Sequence, residues 1–297
     1  MVQTENVLET RNLSKAYGSV IALEDVNLNF AEKGLYGLFG RNGAGKTTLL
    51  DIITSRRYPD RGNVICFGED TTRTPRPLTK NCCYMPEKNY FPARLKTEKI
   101  LDYGKMAFPG FDEAYAQRLC DRFKLNQNQK FGQLSKGYQS ILKVILGLAA
   151  RSPITIFDEP VLGLDAAARD MFYRELIEEY ANSPRLFIIS THLIEESSDL
   201  FNEAIIIKNG EVVVQAPIED LLSKAFYVSG RTDRVNTFIQ NQKVLRYEIV
   251  NEFKTAVIDG ELDSVEKQTG LNFSPITIQK LFIDLTRGSE AEEASNE

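Results

Sequence analysis

The sequence has no long hydrophobic run, a single histidine and no surplus of basic residues, and each lack narrows what the chain can be. No stretch approaches the roughly 18 consecutive apolar residues that a membrane helix needs, so no membrane crossing is expected. The opening Met1-Val2-Gln3-Thr4-Glu5-Asn6 shows no basic region leading into an apolar core. That argues against a secretory signal and for a cytosolic chain. Lysine and arginine number 36 against 41 acidic residues, for a net charge of −5. Four of those acids are glutamates within Gly288–Glu297, which holds no basic residue, so the remainder is nearly neutral. A nucleic-acid binder would show a basic excess or stripe, and none is present. The acidic end reads as a solubilising, disordered tail. Cys66, Cys82, Cys83 and Cys120 lack C-x-x-C spacing, and one histidine cannot complete a metal set with them. They read as reduced, buried thiols.

What the sequence does contain is a phosphate loop. Gly40-Arg41-Asn42-Gly43-Ala44-Gly45-Lys46-Thr47-Thr48 fits G-x-x-x-x-G-K-[ST] at every fixed position. Glycines let successive N–H groups turn inward around a phosphate chain. A lysine ammonium at position 46 reaches the outer phosphates, and a threonine hydroxyl at 47 suits Mg²⁺. The context agrees. Gly34–Phe39 reads as a short buried strand, and Thr47–Ile53 has helical apolar spacing with its N-terminus facing the anion.

At 297 residues the chain can hold one large domain and one small one. Val7–Leu13, the alternating Val26, Leu28 and Phe30, Val64–Phe67 and Cys82–Met85 read as strands, with a turn at Lys15–Gly18. Residues 71–80, rich in Thr, Pro and Arg, read as a loop. From about 93 to 150 the pattern is helical, with an apolar stripe over Glu113–Phe123 and an almost wholly apolar Ile141–Ala150. Ile154–Asp158 and Arg185–Ser190 read as buried strands on either side of a helix at Ala166–Tyr180. Ala204–Lys208 and Glu211–Gln215 flank Asn209-Gly210, a strong hairpin signal. Alternating strands and helices predict a mostly parallel α/β sheet across residues 1–224. Beyond that, strands near 226–228, 244–250 and 255–258 and helices near 233–240, 263–269 and 278–285 predict a small α+β domain at 225–287, without a recognisable site motif.

Two further stretches sharpen the chemistry. Asp158-Glu159 follows an apolar strand, the placement expected of a Mg²⁺ carboxylate and a water-activating base in an NTPase. Leu134-Ser135-Lys136-Gly137-Tyr138-Gln139 resembles the Leu-Ser-Gly-Gly-Gln signature loop of ABC-type ATPases. Phosphate loop, helical region, signature-like loop, Asp-Glu, Leu164-Asp165 after Gly163, and Ser190-Thr191-His192 occur in that family's order across residues 7–216.

The resemblance implies an ATP-hydrolysing subunit with ATP and Mg²⁺ as cofactors. It implies that Tyr17 stacks on adenine and that Gly40, Asn42, Gly43, Ala44, Gly45, Lys46, Thr47 and Thr48 hold phosphates. Thr47 and Asp158 would hold Mg²⁺, Glu159 would be the general base, and His192 would contact the γ-phosphate. Ser135, Gly137 and Asp165 would act across a dimer, on ATP bound to a second ATPase subunit. With no membrane segment of its own, the chain would dock on separate transmembrane permease subunits, peripheral on the inner face of the membrane.

Three positions depart from the family pattern. Lys136 replaces a glycine, Tyr138 intervenes before Gln139, and Glu87 stands where a glutamine is usual. A carboxylate at 87 still accepts from Mg²⁺-bound water but adds negative charge near the γ-phosphate. Pro86-Glu87 resembles the ATPases of drug, peptide or polymer exporters. Two alternatives stay open: a soluble ABC ATPase outside transport, and a nucleotide-gated module with weak hydrolysis.

Overall fold

The computed structural model describes residues 6–72, 74–194, 200–262 and 270–286. The expected helix at 263–269 and the acidic tail lie outside them. The chain divides into two compact units, one of residues 6–193 and 200–215 and one from Ala216 onward.

In the first unit, β1 (Asn6–Tyr17) and β2 (Val20–Ala31) form a long hairpin. Its burial alternates because one face meets the core. The strand continues through Tyr17, so the turn expected at Lys15–Gly18 is confined to Gly18 and Ser19. With β4 (Arg61–Cys66) and β5 (Glu69–Asp70) the hairpin makes an antiparallel sheet in the order β2-β1-β4-β5. The central sheet contains β3 (Gly34–Phe39), β6 (Cys82–Met85), β7 (Ile154–Asp158), β8 (Leu186–Thr191), β9 (Glu203–Lys208) and β10 (Glu211–Pro217). Its order is β10-β9-β3-β8-β7-β6, and the pairs β3–β9, β3–β8, β7–β8 and β6–β7 are parallel. All residues of β3, β7 and β8 are buried, which is why they read as continuous apolar runs.

Between these strands run α1 (Lys46–Ile53), α2 (Arg76–Asn81), α3 (Thr97–Ala107), α4 (Glu113–Arg122), α5 (Lys136–Ala149) and α6 (Ala166–Asn182). The short α2 corrects the expected loop at 71–80. Its proline lies in the first turn, where an N–H has no intrahelical partner and a fixed φ suits the helix. Helix α5 begins five residues earlier than its apolar run, because Ser135 caps it by accepting from the Tyr138 N–H at 3.3 Å.

The second unit holds α7 (Ile218–Ser223), β11 (Ala225–Arg231), α8 (Thr232–Ile239), β12 (Lys243–Val250), β13 (Phe253–Asp259), β14 (Leu271–Pro275) and α9 (Ile278–Thr286). Its antiparallel sheet has the order β12-β13-β11-β14. Phe226, Val228, Val235, Phe238, Ala256, Ile258 and Leu271 form its own core. Strand β14 carries no separate sequence signal, since its Asn-Phe-Ser-Pro has little apolar alternation.

Candidate functional site

Parallel pairing sets Phe39 beside Thr191 and Asp158 beside Ser190. The carboxyl ends of β3, β7 and β8 are therefore level, and the loops leaving them converge on one crevice, the place where open α/β sheets bind ligands. A cavity of about 400 Å³ opens there. Tyr17, Arg41 to Thr48, Glu87, Glu159 and His192 line it, together with Val20, Ile21, Ala22 and Leu162.

Backbone geometry explains the glycines of the loop. Gly43 and Gly45 have φ of +82° and +110°. A Cβ on Gly45 would stand 2.5 Å from the Ala22 carbonyl oxygen, so both conformation and space demand glycine. The Asn209-Gly210 turn supports the loop from behind: the Gly210 N–H donates to the Ala44 carbonyl at 3.0 Å. Gly45 precedes α1 without a side-chain cap, and no acidic residue occupies the first turn. The open N–H groups there suit an anion.

Lys46 is buried, and its ammonium donates to the Gly40 carbonyl at 2.7 Å while lying 3.8 Å from Glu159 Oε1. Thr47 Oγ1 donates to Asp158 Oδ2 at 2.9 Å. Asp158 is 1% exposed, and its Oδ1 is buried with no hydrogen-bond partner. An unsatisfied buried carboxylate oxygen is costly unless something cationic approaches it. Among the described residues no cluster of three or more His, Cys, Asp or Glu could hold a metal alone. The donor set thus fits Mg²⁺ completed by phosphate oxygens and water, as a hard cation that retains waters prefers.

Glu159 follows directly in the left-handed region, at φ +49°. Its N–H donates to the Ser190 carbonyl at 2.9 Å, which holds the strained residue in place. Its carboxylate is buried, with Oε2 at 2.8 Å from His192 Nδ1. Burial pushes its pKa up, against the opposing pull of His192 and Lys46. His192 itself is partly exposed.

Not all expected residues meet here. Ser135, Gly137 and Asp165 do not line this cavity. They stand together elsewhere, where the start of α5 abuts the turn before α6: a Cβ on Gly137 would lie 2.7 Å from the Gly163 oxygen, and Ser140 Oγ donates to the Leu162 carbonyl at 2.9 Å. Asp165 caps α6 by accepting from the Ala168 N–H. Gln139 turns into its own loop and donates to the Phe131 and Leu134 carbonyls.

Sequence reasoning missed Lys143. Its ammonium is buried and donates to the Pro86 and Glu87 carbonyls at 3.0 and 2.8 Å. A lone cation inside Ile141-Leu142-Lys143-Val144-Ile145-Leu146 was the available signal.

Residues 23–162 match the family model described as ABC transporter. The YtrB ATP-binding protein of Bacillus subtilis is 28% identical over 93% of this chain and 97% of its own length. This chain belongs to the ABC-transporter ATP-binding subunits. Such a subunit hydrolyses ATP. Similarity extends to NatA of B. subtilis, at 29% over 76% of this chain and 92% of NatA. It also reaches the Nod factor export ATP-binding protein I of Burkholderia lata, at 25% over 94% and 96%. A solved ATP-binding subunit of an ABC transporter superposes with TM-score 0.63 at 27% identity, covering 72% of this chain and 91% of that one. A dimeric bacterial ABC transporter cassette shares the fold, with TM-score 0.64 at 22% identity over 71% and 98%. Among the described residues of this ATP-binding subunit, no helix is long and apolar enough to cross a membrane.

Proposed function

We propose that this ATP-binding subunit binds Mg²⁺-ATP in the crevice above β3, β7 and β8 and uses Glu159 to take a proton from the attacking water. The observation that carries this is the buried Glu159 carboxylate, which faces the nucleotide-sized cavity with His192 Nδ1 at 2.8 Å and Lys46 Nζ at 3.8 Å. Loop N–H groups and the α1 N-terminus receive the phosphates, and Tyr17, half-exposed at the cavity wall, offers its ring to the base. Lys46 leaves the Gly40 carbonyl for the outer phosphates. Thr47, Asp158 and Glu87 would hold Mg²⁺, which when bound neutralises charge on the β- and γ-phosphates. His192 orients Glu159 and reaches toward the γ-phosphate.

Ser135, Gly137 and Asp165, which do not line the cavity of their own chain, complete this scheme from a second ATPase subunit. ATP then joins two subunits and hydrolysis releases them, a linkage that works a separate permease. An apolar groove of about 260 Å³ supports that docking: Tyr84, Pro86, Tyr90, Phe91, Tyr103 and Phe108 are among its lining residues. A relative named for Nod factor export supports export as the direction.

The test is ATPase activity of the pure protein against Glu159→Gln. Loss of a general base should cost on the order of 10²–10⁴ in rate. The variant with ATP should also accumulate as a dimer. Equal phosphate release from both proteins would refute the assignment.

A further inference from the structure

The C-terminal sheet ends on β12, which has no further strand beside it among the described residues. Edge strands offer a row of backbone donors and acceptors to any chain that arrives, and proteins ordinarily blunt them with proline, lysine, bulges or a covering element. Here a register shift between Val244 and Arg246 disturbs the start of the strand, but the run from Arg246 to Val250 is regular. It contains no proline or lysine. This hairpin also exposes Leu245, Tyr247, Ile249, Val250 and Phe253, each between 48% and 62% accessible. Five large apolar side chains on one hairpin are more than scattered surface hydrophobics explain.

The strand's sequence says what fits it. Leu245-Arg246-Tyr247-Glu248-Ile249 is chemically symmetric about Tyr247, with an aliphatic residue at each end and opposite charges flanking the aromatic. In an antiparallel pair, residues directly opposite share a face and interact. A second copy of the same strand, centred on Tyr247, therefore sets Arg246 against Glu248 of its partner twice over. It also sets the two Tyr247 rings against each other. Within one chain, Arg246 and Glu248 already lie on the same face with their charged groups 3.6 Å apart, so little rearrangement converts the pair to a cross-strand one. A two-fold axis requires a self-complementary patch, and this strand supplies one.

We infer that β12 is a self-association edge, at which two copies of this chain pair their C-terminal sheets antiparallel about Tyr247 without needing nucleotide. The partner is thus a second copy of this chain, recognised by backbone hydrogen bonds, facing Tyr247 rings and reciprocal Arg–Glu contacts.

Sedimentation velocity of the full-length protein without nucleotide tests this, with Glu159 intact so that the ATP-dependent dimer does not contribute. The wild type should self-associate at micromolar concentration. Arg246→Glu or Glu248→Arg places like charges opposite each other at two symmetric sites and should weaken association on the order of tenfold or more. The double exchange Arg246→Glu/Glu248→Arg should restore it, which a merely misfolded single variant could not mimic. Under oxidation, Tyr247→Cys should cross-link between the two 247 positions. The wild-type chain, with Cys66, Cys83 and Cys120 buried and the half-buried Cys82 on β6 rather than β12, should not. A wild type that stays monomeric without ATP, or a double exchange that fails to restore what the single reversals remove, overturns the inference. Either result leaves the ATP reading standing, because that reading is measured by phosphate release from Glu159 variants.

Discussion

The Lys143 ammonium donates to the Glu87 main-chain carbonyl at 2.8 Å and so ties the middle of α5 to the loop leaving β6. Burial lowers the Lys143 pKa, while the nearby Glu87 and Asp158 carboxylates oppose that fall. The loop that carries Glu87 to the cavity is therefore anchored from the helical region by one buried cation.

Lys143→Met should release that loop. It leaves the Pro86 and Glu87 carbonyls without their donor, and each buried unsatisfied group costs about 1–3 kcal/mol. Thermal unfolding should shift down by several degrees, and hydrogen exchange should quicken around residues 86–90.

The ATPase pH profile should carry the mark of Glu159. A general base works deprotonated, and burial holds this carboxyl above the ordinary carboxylate range. Activity should therefore fall on the acid side at a higher pH than a solvent-exposed glutamate would give. His192 pulls the Glu159 pKa down, so residual activity of His192→Ala should fade at a still higher pH. For stability the sign runs the other way: a carboxyl whose folded pKa is raised binds more protons folded than unfolded, so stability declines as pH rises through that window. Without nucleotide, Glu159→Gln should accordingly melt above the wild type near neutral pH.

Gly45→Ala meets two obstacles, a φ of +110° and the Ala22 carbonyl oxygen 2.5 Å from the new Cβ. We expect a loss of at least about 2 kcal/mol by denaturant titration and no measurable ATP binding.

Thr47→Val removes the hydroxyl that donates to Asp158 Oδ2, leaving a carboxylate whose Oδ1 has no partner either. Stability should fall by about 1–3 kcal/mol. Nucleotide affinity should lose most of its Mg²⁺ dependence in equilibrium titration with and without the ion.

The phosphate loop and the two carboxylates were legible in the sequence because each depends on residue type at fixed local spacing, whereas the lone histidine was singled out only by the family resemblance. Gly43 and Gly45 announce positive φ, Lys46 and Thr47 announce phosphate chemistry, and the apolar Ile154–Phe157 announces the buried strand that delivers Asp158. The central strands were equally plain, since burial on both faces leaves continuous apolar runs. Helix α2 was not, because Thr, Pro and Arg describe a loop by composition while Pro77 in a first turn describes a helix by position. Nor was β14, whose place depends on pairing with β11, as Phe273 does with Val228, 45 residues earlier.

Only the tertiary structure decided how distant residues meet. It set Gly210 behind Ala44, Lys143 beneath Glu87, and Glu159 between Lys46 and His192. Those contacts follow from parallel strand register, which sequence periodicity cannot specify. It also left Ser135 and Gly137 outside the lining of the crevice that holds Lys46, at a helix start packed against the turn at Gly163. Local chemistry wrote the phosphate loop and the signature-like loop into the chain; register and helix packing placed only the first of them on the crevice.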